Sequence, residues 1–130
     1  MKILADILLM VNNLSLLQTS NQGKDENSPL QLAINYINTN FDKNLDLYTI
    51  AKNSYVSVNK LCSLFKDNLN TTVIKFLTSK RISNAKKMLD NGHTIIDTAY
   101  ASGFNDYANF IRVFKATVGV SPGKYGKLHK

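Results

Sequence analysis

The chain has 130 residues, 44% of them hydrophobic, and a formal net charge of +7, which suits one domain or two very small ones folded around a core. A single cysteine, Cys62, excludes an intrachain disulfide and fits a reducing compartment. The two histidines, His93 and His129, lie far apart, and no Cys/His cluster has metal-ligand spacing, so neither a metal nor a cofactor is expected.

Residues 3–17 read as an amphipathic helix. Ile3, Ile7, Met10, Leu14 and Leu17 alternate spacings of four and three, and Leu4, Leu8 and Val11 widen the stripe. The apolar run is too short to span a bilayer and is interrupted by Asp6, and Asn12-Asn13-Leu14-Ser15 after it is a poor cleavage site for a signal peptide. A cytoplasmic protein is expected, with no membrane partner. So broad a stripe needs a cover, and a homodimer through residues 3–17 is one way to provide it. Residues 18–29 are polar, contain Gly23 and Pro29, and read as a linker.

From Leu30 onward the pattern is helical throughout. The first helix is expected from about Leu30 to Asn40. A second is capped by Asp46, and a third is capped by Ser57 and runs to about Leu69. A long fourth runs from about Thr72 to Asn91, where Asn91-Gly92 is a helix stop. A fifth starts at Thr94, with Asp97 three residues on as in a capping box, and a sixth runs from Asp106 to about Val118. Gly119 and Pro122 then break the pattern and leave a short basic tail. Arg81, among apolar positions of the fourth helix, is expected to pair with a carboxylate such as Asp97. His93 is expected to act as a dipole partner at a helix end, and Phe65, Phe76, Phe104, Phe110, Phe114 and Leu89 are expected in the core.

The third and sixth helices repeat one phrase. With Ser57 and Asp106 aligned, Leu61 and Phe110 fall four residues on, Leu64 and Val113 seven, and Phe65 and Phe114 eight. Those positions bury one side of each helix. The opposite side presents Asn59, Cys62, Ser63 and Lys66 in the first copy, and Ala108, Ile111, Arg112 and Lys115 in the second. Two helix-turn-helix units, at about 46–69 and 94–118, are therefore expected on either side of a connecting helix at about 72–91. Charge points the same way. Between Lys52 and Lys87 there are seven lysines and one arginine against Asp67 alone, a field suited to a polyanion. The length of the connecting helix, about 30 Å at 1.5 Å per residue, is close to the rise of one DNA turn, about 34 Å.

These residues resemble the DNA-binding domain of the AraC/XylS family of bacterial transcription regulators. The resemblance is carried most specifically by Ile96-x-x-x-Ala99-x-x-x-Gly103-Phe104-x-Asp106-x-x-x-Phe110-x-Arg112-x-Phe114-Lys115-x-x-x-Gly119-x-Ser121-Pro122-x-x-Tyr125. Arg81-Ile82-x-x-Ala85-x-x-x-Leu89 is similar to the family's connecting helix. Leu47-x-x-Ile50-Ala51 followed by Ser57-x-x-x-Leu61-x-x-x-Phe65-Lys66 is similar to its first unit. It implies an all-α domain that reads promoter DNA, RNA polymerase as a further partner, a role as activator, and a separate sensor or dimerisation domain, whose last helix residues 1–17 would be. Four positions depart from the family pattern. Tyr55 stands where the first turn usually has Gly, so that turn is expected to be shaped differently. Ser63 stands where Arg is frequent, and it is too short for a bidentate guanine contact. Asn70 and Thr72 replace a Gly and a Pro before the connecting helix.

Double-stranded DNA is thus the expected partner. Arg112 is the foremost candidate for a base contact, to guanine O6/N7, and Asn59 is suited to adenine. Cys62, Ser63, Tyr107, Ala108 and Ile111 complete the candidate base-facing set. Lys60, Lys66 and Lys115 are assigned to phosphates, as are the amides that open the helices after Asp46 and Thr94. Lys75, Lys80, Lys86 and Lys87 are read as a solvated face. No nucleophile–base pair, paired-carboxylate motif or phosphate loop suggests an enzyme. The competing reading is a basic helical module that binds a protein or an acidic membrane.

Overall fold

A computed structural model describes residues 27–128. The helix expected at residues 3–17, and most of the linker, lie outside the described residues. Contacts divide the chain between Leu32 and Ala33, and the unit described below begins at Ala33.

All regular structure among the described residues is helical, in seven helices. The first, α1 (Pro29–Asn40), starts one residue before the expected boundary. Ser28 caps it by accepting the Gln31 amide, and Pro29 takes the first helical position, where a missing N–H costs nothing. The next five are α2 (Leu47–Asn53), α3 (Val58–Leu69), α4 (Val73–Asp90), α5 (Ile95–Ala101) and α6 (Tyr107–Val118). Asp46, Ser57, Thr94 and Asp106 cap four of them as expected, and Thr72 caps α4, each accepting an amide of the first turn. Asn70 and Gly119 close α3 and α6 in the left-handed conformation, at φ 52° and 100°.

The seventh helix, α7 (Pro122–Leu128), corrects the expected tail. Ser121 accepts the Lys124 amide, and Pro122 opens the helix rather than breaking it. Two glycines, Gly123 and Gly126, hide the helix from periodicity. Burial of Pro122 and Tyr125 holds it in place: the Tyr125 ring meets Phe114 edge-on at 5.6 Å, and its hydroxyl lies 3.5 Å from the Asp90 carboxylate.

Two cores share α4. Ile50 and Ala51 of α2, Leu61 and Phe65 of α3, and Val73 and Leu77 of α4 are buried at one end. Phe76, expected in the core, is only half-buried; it meets Phe65 edge-on and lies under the Lys80 ammonium, 5.2 Å from the ring centre. That contact removes Lys80 from the freely solvated set, and its pKa is lowered by burial first and by Lys87 second. At the other end Ile82, Ala85 and Leu89 of α4 pack with Ala99, Phe104, Phe110, Phe114 and Tyr125. Burying a phenyl group such as Phe110 or Phe114 is worth roughly 1.5–3 kcal/mol each, so positions +4 and +8 largely fix which side of α6 faces inward.

Candidate nucleic-acid interface

The two turns that present α3 and α6 are built alike. Ala51 O accepts the Val56 amide at 3.1 Å, and Ala99 O accepts the Phe104 amide at 3.1 Å. A buried serine follows each first helix, Ser54 and Ser102. Ser54 donates its hydroxyl to Ile50 O at 2.8 Å, and Ser102 receives the Asn84 side-chain amide at 3.1 Å. The left-handed residue of the second turn is Gly103, at φ 97°, and that of the first is Tyr55, at φ 62°. The expectation that Tyr55 reshapes the turn is therefore corrected: the conformation is kept and the strain is borne.

The reason lies in what each turn faces. Tyr55 is 84% exposed, so a side chain there meets only water. A Cβ on Gly103 would collide with the carbonyl oxygen of Phe41 and lie 2.8 Å from Arg81 Nε and 3.1 Å from Asp42 Cα. Only the second turn needs glycine for space as well as for φ. It is also longer by one residue, Asn105, before the cap Asp106.

Arg81 explains the crowding. Its Nε donates to Phe41 O at 2.7 Å and its Nη2 to Lys43 O at 2.8 Å, both in the α1–α2 loop. The guanidinium also lies over the Phe104 ring, 5.9 Å from its centre. The role is structural, as expected, but the partners are two carbonyls and not Asp97. Burial lowers the Arg81 pKa, and the charge of Asp42 opposes that shift.

The outward faces carry the candidate residues. On α3, Asn59, Lys60, Cys62, Ser63 and Lys66 are all exposed, with Asn59, Ser63 and Lys66 on one stripe. On α6, Tyr107, Ala108, Arg112 and Lys115 are exposed. Arg112 Nη2 donates to Asn109 Oδ1 at 2.6 Å, a neutral partner that leaves the positive charge available to a polyanion. Ile111 is the exception: it is half-buried and packs against the second core. Position +5 sits on the border of the inward face, and a branched side chain there reaches back to the core, where Cys62 at the matching place in α3 does not.

One neighbour was not foreseen. Lys75, read as solvated, lines a groove of about 460 Å³ with Cys62, Lys66, Asn70, Thr71, Thr72 and Val73. The fold brings it beside the outward face of α3 because the α3–α4 turn is short; no periodicity within one helix could have shown this. Asp46 accepts the Thr49 amide, and that bond holds its carboxyl below the ordinary range. The start of α2 is therefore anionic, while Thr94 leaves the start of α5 neutral. Among the described residues no group of three His, Cys, Asp or Glu could hold a metal ion, and no helix is long and apolar enough to cross a membrane.

Two matching helix-turn-helix units, each presenting one face of its second helix from a shared basic scaffold, define a double helix-turn-helix DNA-binding domain of a transcription regulator. A family profile described as a helix-turn-helix domain matches residues 50–127. The chain belongs to that family, as a C-terminal DNA-binding domain of the AraC/XylS type. The arabinose operon regulatory protein of Escherichia coli is 34% identical over 85 residues, which is 65% of this chain and 29% of that protein. The C-terminal domain of AraT, a response regulator from Geobacillus stearothermophilus, is 28% identical with a TM-score of 0.74, over 77% of this chain and 84% of that one. The DNA-binding domain of AdpA, solved in complex with a target DNA, shares the fold with a TM-score of 0.75 at 19% identity, over 78% of this chain and 93% of that one. The chain spans less than half the length of the curated operon regulators it matches.

Proposed function

We propose that α3 and α6 enter two successive major-groove segments on one face of promoter DNA, each reading bases with its outward stripe. The observation that carries this is the like construction of the two turns and exposed faces at the ends of one helix. The 18 residues of α4 give it a length of about 27 Å, against about 34 Å for one DNA turn. Arg112 is assigned to guanine and Asn59 to adenine; Ser63, Cys62, Tyr107 and Ala108 supply shorter-range contacts, and half-buried Ile111 a lesser one. Lys60, Lys66 and Lys115, now joined by Lys75, are assigned to phosphates, which orient the domain without specifying sequence.

The test is Arg112→Ala against a selected duplex. The expected loss is about 1–3 kcal/mol, with relaxed preference at one base position. An equal loss on every sequence would reassign Arg112 to the backbone, and no loss would remove it from the interface.

The wider reading is a cytoplasmic activator, not an enzyme, that contacts RNA polymerase while bound to DNA. Ile96 and Tyr100, one turn apart on α5 and each about half exposed, offer apolar surface to a protein partner. Residues 1–17 are assigned to a sensor or dimerisation region, with 18–29 as linker and 30–130 as the DNA-binding domain. Sedimentation tests the homodimer through residues 3–17: Leu8→Asp is expected to shift a dimer to monomer, and a monomeric wild type at high concentration would sink it.

A further inference from the structure

We propose that the α1–α2 loop, residues 41–44, is a strut that sets the relative pose of α3 and α6, and that Arg81 is the positioning residue that fixes it. The strut would thereby decide which spacing of two DNA elements the domain accepts. The proposal rests on the two-helix DNA reading above.

The loop touches the approach to both reading helices. On one side it leads into α2, whose cap Asp46 lies two residues beyond Asn44, and α2 packs on α3. On the other side its backbone abuts Gly103, so closely that no Cβ fits, and Asn44 Oδ1 faces Asn105 Nδ2 at 3.4 Å. Gly103 and Asn105 form the turn that delivers α6. The one-residue extension of the second turn thus falls where the loop meets it.

Arg81 is the ninth residue of the 18-residue α4, at the midpoint between the two units. From there it spans 40 and 38 residues of sequence to hold two carbonyls of the loop at 2.7 and 2.8 Å. A planar guanidinium with fixed donor directions defines both the position and the angle of the peptide it binds. The connecting helix by itself sets the distance between the units. The clamp on the loop adds a second tie, away from the helix axis, that resists twisting of one unit against the other. Because Arg81 lies over Phe104 in the second core, it joins the loop to that core directly.

The experiment measures affinity of the full chain for duplexes carrying both selected elements, with their centres moved in single base-pair steps about the best spacing, and for duplexes carrying one element. Wild type is expected to show one best spacing. In Arg81→Ala, single-element affinity should be unchanged, while the penalty for a one-base-pair shift falls by about tenfold, the scale of one charge-assisted hydrogen bond. Arg81→Lys keeps the charge but cannot bridge both carbonyls, and is expected to give an intermediate profile; it is scored in the same way if Arg81→Ala does not fold. A folded variant with the wild-type spacing profile would overturn the proposal, as would a wild type indifferent to spacing. A wild type that binds neither element would instead remove the DNA reading on which the strut depends.

Discussion

Replacing Gly103 by Ala separates two reasons for glycine, space and φ. Gly92 and Gly103 both have positive φ, at 87° and 97°. A Cβ on Gly92 meets nothing within 4 Å, whereas one on Gly103 meets the Phe41 carbonyl oxygen and Arg81 Nε. The left-handed conformation costs an L-residue roughly 1–2 kcal/mol, partly offset by about 0.4–1 kcal/mol from the stiffer unfolded chain. Gly92→Ala should therefore lose about 1 kcal/mol. Gly103→Ala must in addition push the loop off Arg81, and a hydrogen bond to a charged group contributes about 1.5–3 kcal/mol. Its total loss should be about 3–4 kcal/mol, a large share of a domain stability of about 5–15 kcal/mol. Urea unfolding of both variants, with unchanged slope, measures the difference directly. Thermal midpoints should differ by about 8–24 °C, since 1 kcal/mol moves a domain of this size by about 4–8 °C. Equal losses in the two variants would refute the close packing of Gly103 against the loop.

Three further outcomes follow from single residues. Thr98 is fully buried and its hydroxyl has no hydrogen-bond partner, so Thr98→Val should raise stability by about 1 kcal/mol in the same unfolding assay; a loss would mean that the hydroxyl is satisfied in solution. The Asp46 carboxyl is lowered by the Thr49 amide bond, so its stabilising effect is present above the unfolded value, about 4, and fades as pH falls through the depressed folded value. Asp46→Asn keeps a capping oxygen and should flatten stability in that acid window; an unchanged acid profile would show that the charge contributes nothing. Tyr55→Gly relieves a left-handed tyrosine whose ring is exposed, and should leave stability unchanged or raise it by up to about 1 kcal/mol; a clear loss would show that the ring holds a contact.

How much was legible in the sequence depended on whether the signal was local. Four helices were announced by a capping side chain at their start, Asp46, Ser57, Thr94 or Asp106, and α3 and α6 also by an apolar stripe at 3.6-residue period, signals written within a dozen residues. The outward faces of α3 and α6 followed from the same periodicity, apart from Ile111, whose place at the edge of the inward arc is decided by neighbours in space. The helix α7 was hidden because its glycines dilute the pattern and its proline reads as an end as readily as a beginning. Arg81 looked like half of an ion pair because carboxylates are visible in a sequence and free carbonyls are not. Its true partners lie 38 and 40 residues away on a loop that only the folded chain brings near. Tyr55 looked incompatible with its turn because the cost of a positive φ is local, while the freedom to bear it depends on an open surface.

Selection of binding sites from a pool of random duplexes, at two salt concentrations, tests the central claim most directly. The expected result is an enriched motif of two elements centred about one helical turn apart, roughly 10 base pairs, with affinity that falls as salt rises. One enriched element would mean that α3, with Ser63 in place of a longer reader, only holds the backbone. Binding that is salt-sensitive but unselective, or no binding, would contradict the claim that this chain reads DNA sequence through two presented helices.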